Sequence, residues 1–238
     1  MPLGPDAVST FAREGVLPLG QVLDAAQVQA AREHLAQLIA QEKVDRPSSQ
    51  PGRFIFRRLN VSSFDAWFGT LVRTPAVLDA AEVALGPDVQ YFQDNIFYKP
   101  AAVGGATPWH QDNIWWHSNP PAMATIWIAL DDVDDDNGAV RYVRGSHDRL
   151  IEHTLPVQDP QGMTYNVLDP SRVPQDRVVS FAVPAGHAVM HHCLTIHGSP
   201  ENRSPRPRRA YTVHVMRAGL LSRDEAKNPV LRGRLPAV

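Results

Sequence analysis

YFQDNIFYK, from Tyr91 to Lys99, marks where the chain stops reading as helix and begins to read as sheet. Aromatic and β-branched residues dominate it, as they do in half-buried strands. The same texture returns in MATIWIALDD from Met123, AVRYV from Ala139 and RVVSFAV from Arg177. It appears again in HAVM from His187 and RAYTVHVMR from Arg209. Gly, Pro and Asn separate these segments, and no long helical pattern lies between them. Parallel strands need helical crossovers, so an antiparallel double-layered β structure is expected rather than a βαβ fold.

Upstream, the front third reads as helical. Asp24 can cap a helix whose apolar positions are Val28, Ala31, Leu35, Leu38 and Ile39. A second helix is bounded by Thr74 as N-cap, Pro75 at its first position and Gly86-Pro87 beyond its end. RPSSQPGR, from Arg46 to Arg53, is a turn-rich loop between them. Downstream, His147 to Arg177 holds several prolines and little periodicity, and is expected to be a long loop over one end of the sandwich. No internal repeat is found. The expected layout is one domain, residues 1–238: a helical support over about 1–88, a β core over about 89–217 and a tail over 218–238.

A chain of 238 residues is long enough to bury a substantial core. Apolar residues at 43% and charged residues at 20% are ordinary for a globular protein. A net charge of −2 gives no electrostatic case for nucleic acid or an anionic membrane. Cys193 is the single cysteine, which excludes an internal disulfide and fits a reducing compartment. The opening MPLGPDAVSTFAREG has no basic and apolar signal pattern, and runs such as ATIWIAL are too short to span a bilayer. A cytoplasmic protein acting on a small molecule is the expectation.

Chemistry concentrates in WHQDNIWWH, Trp109 to His117. If this is strand, His110 and Asp112 share a face while Gln111 points away. An imidazole and a carboxylate on one face form two-thirds of a facial triad for iron(II), which needs one more histidine. A surface pair sharing a hydrogen bond has the same spacing, so this motif alone leaves both readings open. HHCLTIHGSPENRSPRPRRAYTVHV, from His191 to Val215, supplies further histidines at one strand end and arginines entering the next strand.

With these residues in view, the chain resembles the phytanoyl-CoA dioxygenase family of iron(II)- and 2-oxoglutarate-dependent oxygenases. The matching motifs are HQD at His110–Asp112, WIALDDVDDDNGAVRYVRGSH from Trp127 to His147, and HGSPENRS…RRA from His197 to Ala210. The resemblance runs from about Phe92 to Met216 and implies a double-stranded β-helix, or jelly roll. It implies that His110, Asp112 and His197 bind Fe(II), with His191 and His192 as core or rim histidines. It places Arg208 on the distal carboxylate of 2-oxoglutarate, as a bidentate guanidinium suits, with Arg209 as its rival on the opposite face. Ser199, Trp127 and Asn95 would line the cosubstrate pocket, although Trp127 serves equally as core. Asn113, Trp115, Trp116 and His117 would shape the substrate mouth, where the tryptophans also fit ordinary packing. Dioxygen is the second cosubstrate, and succinate and carbon dioxide are the by-products. Halogenating relatives replace the motif's carboxylate with a small residue; Asp112 is present, which points to hydroxylation.

Other signals carry less. DDVDDDNG, from Asp131 to Gly138, alternates acids but places Asn137 where a calcium loop needs glycine and Val143 where it needs Glu, so it reads as a strand end and acidic turn. HExxH, Walker A, G-x-S-x-G and paired CxxC motifs are lacking. Arg53, Arg57 and Arg58 could meet an anionic substrate but read first as a solvated basic face, and Arg203 and Arg206 as solvated loop charges. A non-catalytic jelly roll that binds metal or 2-oxoglutarate is the alternative. A cupin-like isomerase or hydrolase is disfavoured because the chain has no H-x-H pair.

Overall fold

The structure, a computed structural model, describes residues 3–4, 6–45, 55–158, 164–220 and 228–234. In chain order it begins with α1 (Ala7–Glu14), β1 (Val16–Gln21), α2 (Ala25–Ala40), β2 (Phe56–Leu59), α3 (Ala66–Leu71) and α4 (Pro75–Leu85). The β-rich part follows with β3 (Val89–Lys99), β4 (Thr107–His110), the single turn α5 (Asn113–Trp116), β5 (Met123–Ala129) and β6 (Arg141–Val143). Then come β7 (Leu155–Gln158), β8 (Thr164–Val167), β9 (Val178–Ser180) and β10 (His187–His192). The last strands are β11 (His197–Ser199), β12 (Arg208–Arg217) and β13 (Val230–Arg232). The larger antiparallel sheet runs β1-β10-β5-β12-β3-β13, with β2 also paired to β3. The smaller runs β4-β11-β6-β9, and β7 and β8 form a separate hairpin. This is the expected jelly roll braced by helices.

Alternation along the central strands divides the core in two. Ala124, Ile126 and Ile128 of β5 and Tyr211, Val213 and Val215 of β12 pack outward onto Leu35 of α2, Phe68 of α3 and Val77 of α4. Trp127, Ala129, Val189 and Ala210 pack inward against Tyr142, Val133 and Val183. β5 is therefore buried at every position and reads as a continuous apolar run. The inward polar positions line up across strands: Gln93, His214, Thr125 and His191 form one row. Asn95, Thr212, Trp127 and Val189 form the next, and Lys99 faces Arg208 at the far end of β3.

The front third differs from its purely helical expectation. β1 and β2 join the larger sheet at its edges, and Pro18 is tolerated in β1 because it lies on an edge strand. The carbonyl of Gly186 accepts from the N–H groups of Val22 and Leu23 at 2.8 and 3.0 Å, docking the start of the chain beside β10. Gly186 has φ +83°, and a Cβ there would come within 2.5 Å of the Leu23 carbonyl oxygen, so the contact needs glycine. β13, from the expected tail, pairs with β3.

His147 to Arg177 is likewise not a plain loop. It carries the β7–β8 hairpin and 3-10 turns at Pro170–Arg172 and Gln175–Arg177; residues 159–163 lie outside the described residues. The loop from Arg46 to Arg53 also falls outside them. Among the described residues no helix is long and apolar enough to cross a membrane.

Both predicted helices are present. Asp24 accepts from Gln27 N at 2.8 Å while Gln27 Oε1 accepts from Asp24 N at 2.9 Å, a reciprocal cap. Thr74 stands at the start of α4, but its hydroxyl donates to the Leu71 carbonyl instead of capping. Asp24→Ala is expected to lower unfolding free energy by about 1 kcal/mol, seen in urea as a lower midpoint at unchanged m value.

Candidate metal centre

His110 and His197 face each other directly across β4 and β11, with ring centroids 4.1 Å apart. Gly198 permits this approach, since a Cβ there would meet the Thr107 carbonyl oxygen at 3.0 Å. The strand expected through Asp112 ends at His110; Asp112 instead stands at the start of the α5 turn, its side chain free of any capping bond. The tie that turns the chain is Gln111, whose amide donates to the carbonyls of Arg149 and Leu194 at 2.9 and 2.6 Å. Asp112 Oδ1 consequently lies 3.7 Å from Nε2 of both His110 and His197. The three buried donors lie within 4.8 Å of one another and could hold a metal ion.

Each donor is oriented from behind. His110 Nδ1 donates to the Pro108 carbonyl at 2.8 Å and His197 Nδ1 to the Thr195 carbonyl at 2.9 Å. A carbonyl only accepts, so the protons sit on Nδ1 and the Nε2 lone pairs face the centre. Asp112 Oδ2 accepts from Thr125 Oγ1 at 2.9 Å and from His191 Nε2 at 3.1 Å. Having donated its proton, Thr125 accepts from His214 Nδ1 at 2.8 Å, and His214 Nε2 accepts from Asn95 Nδ2 at 2.7 Å. Burial alone would raise the Asp112 carboxyl, but the surrounding imidazoles of His197, His110 and His191 hold it well below the usual carboxylate range. Burial pushes His197 well below the usual imidazole range. Both shifts favour the deprotonated forms that bind metal. Two imidazoles and one carboxylate on one side of a centre suit ferrous iron with coordination positions left open.

The centre sits in the wall of a cavity of about 630 Å³, flanked by Phe92, Trp115, Trp116, Trp127 and Tyr165. At its far end Arg208 is buried, donating through Nε and Nη2 to the Gly138 carbonyl at 3.1 Å each and to Ser199 Oγ at 3.3 Å. Its guanidinium lies 5.2 Å from the Trp127 ring. Burial lowers its pKa to about 10, which leaves it cationic. Lys99 Nζ lies 2.6 Å from both Ser199 Oγ and the Pro200 carbonyl. Burial, and then the charge of Arg208, push Lys99 well below the usual lysine range.

Most expected site residues therefore share one cavity: His110, Asp112, His197, Arg208, Ser199, Trp127, Asn95, Trp115 and Trp116. Asn113 does not. Its side chain is bound to the backbone of Ser118 at 3.0 and 3.2 Å, closing the α5 turn. Arg209 points outward and grips Asp131 through Nη2 and Nε at 2.6 and 2.8 Å. Arg206 pairs with Asp134, and Arg203 with Glu201. His191 is more than a core histidine, since it holds Asp112; His192 packs with Phe11 and His147, away from the donors. Arg57 lines the cavity instead of a solvated face, while Arg58 covers the Phe64 ring; Arg53 lies outside the described residues.

Sequence reasoning missed Lys99, Thr125 and His214. Parity offered the signal: an inward Arg208 makes Thr212 and His214 inward, and an inward Asn95 makes Lys99 inward. Cys193 takes no part in this chemistry. It is fully buried, and burial pushes its thiol up to about 12. Cys193 is expected to resist alkylation by iodoacetamide at neutral pH in the native protein and to react on denaturation, read by intact mass.

A jelly roll holding an open His–Asp–His donor set beside a buried arginine defines the non-haem iron, 2-oxoglutarate-dependent oxygenase class. The sequence pattern of the phytanoyl-CoA dioxygenase family matches residues 11–210, and the chain belongs to that family. It is 31% identical to the L-proline trans-4-hydroxylase of Streptomyces griseoviridis, over 85% of this chain and 82% of that enzyme. It is 29% identical to the ectoine dioxygenase of Bordetella bronchiseptica, over 87% of this chain and 73% of that one. Among solved structures it resembles the non-haem α-ketoglutarate-dependent carbocyclase SnoK of nogalamycin biosynthesis, with TM-score 0.75 and 25% identity over 91% of this chain and 85% of that chain. The protein is an Fe(II)- and 2-oxoglutarate-dependent dioxygenase with O2 as its second cosubstrate.

Proposed function

We propose that this enzyme hydroxylates a compact organic molecule in the cytoplasm, with His110, Asp112 and His197 holding the iron and Arg208 holding 2-oxoglutarate. The observation that carries the reading is the convergence of three buried donors within 4.8 Å, each fixed from behind. When bound, ferrous iron with 2-oxoglutarate and dioxygen supplies the oxidising power, with succinate and carbon dioxide released. The chain's own residues do the positioning. Pro108 and Thr195 aim the imidazoles, and Thr125 and His191 occupy one oxygen of Asp112 so that the other faces the centre. Arg208 and Ser199 present donors to the distal carboxylate of 2-oxoglutarate, Lys99 braces Ser199, and Trp127 and Asn95 flank the cosubstrate. Trp115 and Trp116 keep water from the reacting carbon.

A relative that hydroxylates L-proline supports a substrate of amino-acid size. The single free, buried cysteine supports a reducing compartment, and the slightly acidic charge balance supports a small-molecule partner over nucleic acid. One catalytic domain fits the sheet, which takes strands from the front, middle and end of the chain.

His110→Ala and His197→Ala are each expected to abolish iron-dependent conversion of 2-oxoglutarate to succinate; succinate formation at the wild-type rate in either would sink the metal assignment. Arg208→Ala should raise the KM for 2-oxoglutarate on the order of 100-fold, as loss of a buried charge partner does. Arg209→Ala should change it by less than about fivefold, because its pair with Asp131 lies outside the cavity.

A further inference from the structure

Among the described residues lining the cavity there are three basic side chains besides the histidines, Arg57, Lys99 and Arg208, and one acid, Asp112. Arg208 and Lys99 are engaged at the Ser199 end. Arg57 is not. Its guanidinium makes no hydrogen bond or ion pair with any described residue, and its Nε is buried without a partner. Asp45 lies directly across from it, exchanging backbone hydrogen bonds at 2.8 and 2.9 Å, yet their side chains form no ion pair.

Strand parity explains where Arg57 points. β2 pairs with β3 so that Arg57 stands opposite Phe97, and Ile55, Arg57, Leu59 and Phe97 all line the cavity. Arg58, one residue on, faces the other way and stacks 3.2 Å from the Phe64 ring centroid. A guanidinium partly withdrawn from water with nothing to donate to is unfavourable in isolation, and an anion with paired acceptor oxygens relieves it best. The cosubstrate end needs no further cation. The charges of the iron and Arg208 are met by Asp112 and the two carboxylates of 2-oxoglutarate, and Lys99 is driven towards its neutral form by burial. Arg57 is the charge left over.

We infer that Arg57 is a substrate-anchoring residue and that the substrate is a compact organic acid whose carboxylate it holds bidentately. The body of the acid packs among Phe92, Trp115, Trp116 and Tyr165, towards the metal centre. This assignment rests on the dioxygenase reading above and adds the substrate's chemical class to it.

The test uses full-length protein loaded with cobalt(II) and 2-oxoglutarate, following the visible absorption of the cobalt. L-Proline, L-pipecolate and benzoate are titrated beside their carboxamides. At least one acid should perturb the spectrum, with its carboxamide on the order of 10- to 100-fold weaker. Arg57→Gln should weaken that acid by a similar factor and leave the 2-oxoglutarate-induced change within about twofold, Arg57→Lys should be intermediate, and Arg58→Gln should match wild type. Carboxamides binding as well as acids, an Arg57→Gln titration like wild type, or no response to any acid would overturn the assignment. Failure of wild-type protein to show any 2-oxoglutarate-induced change is a different result: it would overturn the dioxygenase reading, and the substrate assignment with it.

Discussion

The carboxylate of Asp112 is the constraint around which the interior is arranged. A buried carboxylate is costly unless its oxygens are met by donors or metal. Here one oxygen is held by Thr125 and His191 while the other faces two imidazoles. Thr125 donates its own hydroxyl proton to the carboxylate and accepts from His214 on the other side, and His214 in turn accepts from Asn95. The chain of donors crosses β3, β12 and β5 in a single direction. The large sheet carries none of the three donors, yet its inward rows form the hydrogen-bonded wall behind Asp112.

The smaller sheet contributes differently. It places His110 and His197 as cross-strand neighbours, so their separation is set by ladder spacing rather than by flexible side chains. Asp112 could not join them from an extended strand on the same terms. It arrives because Gln111 anchors the chain to Arg149 and Leu194 and the backbone turns into α5. The triad is thus two residues from a ladder and one from a turn, and all three side chains line the cavity.

Much of this is legible in the sequence, and the boundary is physical. Strands β3, β5, β10 and β12 are visible because they are rich in apolar, β-branched and aromatic residues. The inward course of Arg208 against the outward course of Arg209 follows from the family register and strand parity. β1, β2 and the β7–β8 hairpin are harder to see, because edge strands are short and contain Pro18, Gly20 or Pro156, which local reading assigns to loops. Thr125, His191 and His214 are each individually unremarkable polar residues on strands. Their meaning depends on which strand lies beside which, and cross-strand register is a long-range property that no local pattern encodes. Asn113 shows the converse: it sits beside the motif yet spends its side chain closing a turn.

The order of strands in the larger sheet bears on how the enzyme comes into being. β1, near the start of the chain, pairs with β10, and β3 pairs with β12, so early segments wait for late ones. Such distant pairing makes assembly slow and strongly cooperative. His197, Arg208 and His214 all follow β1 and β3 along the chain, on strands β11 and β12. The cavity that gathers the three donors can therefore close only once segments far apart along the chain have met, so it is a property of the assembled sheets and of no local piece of them.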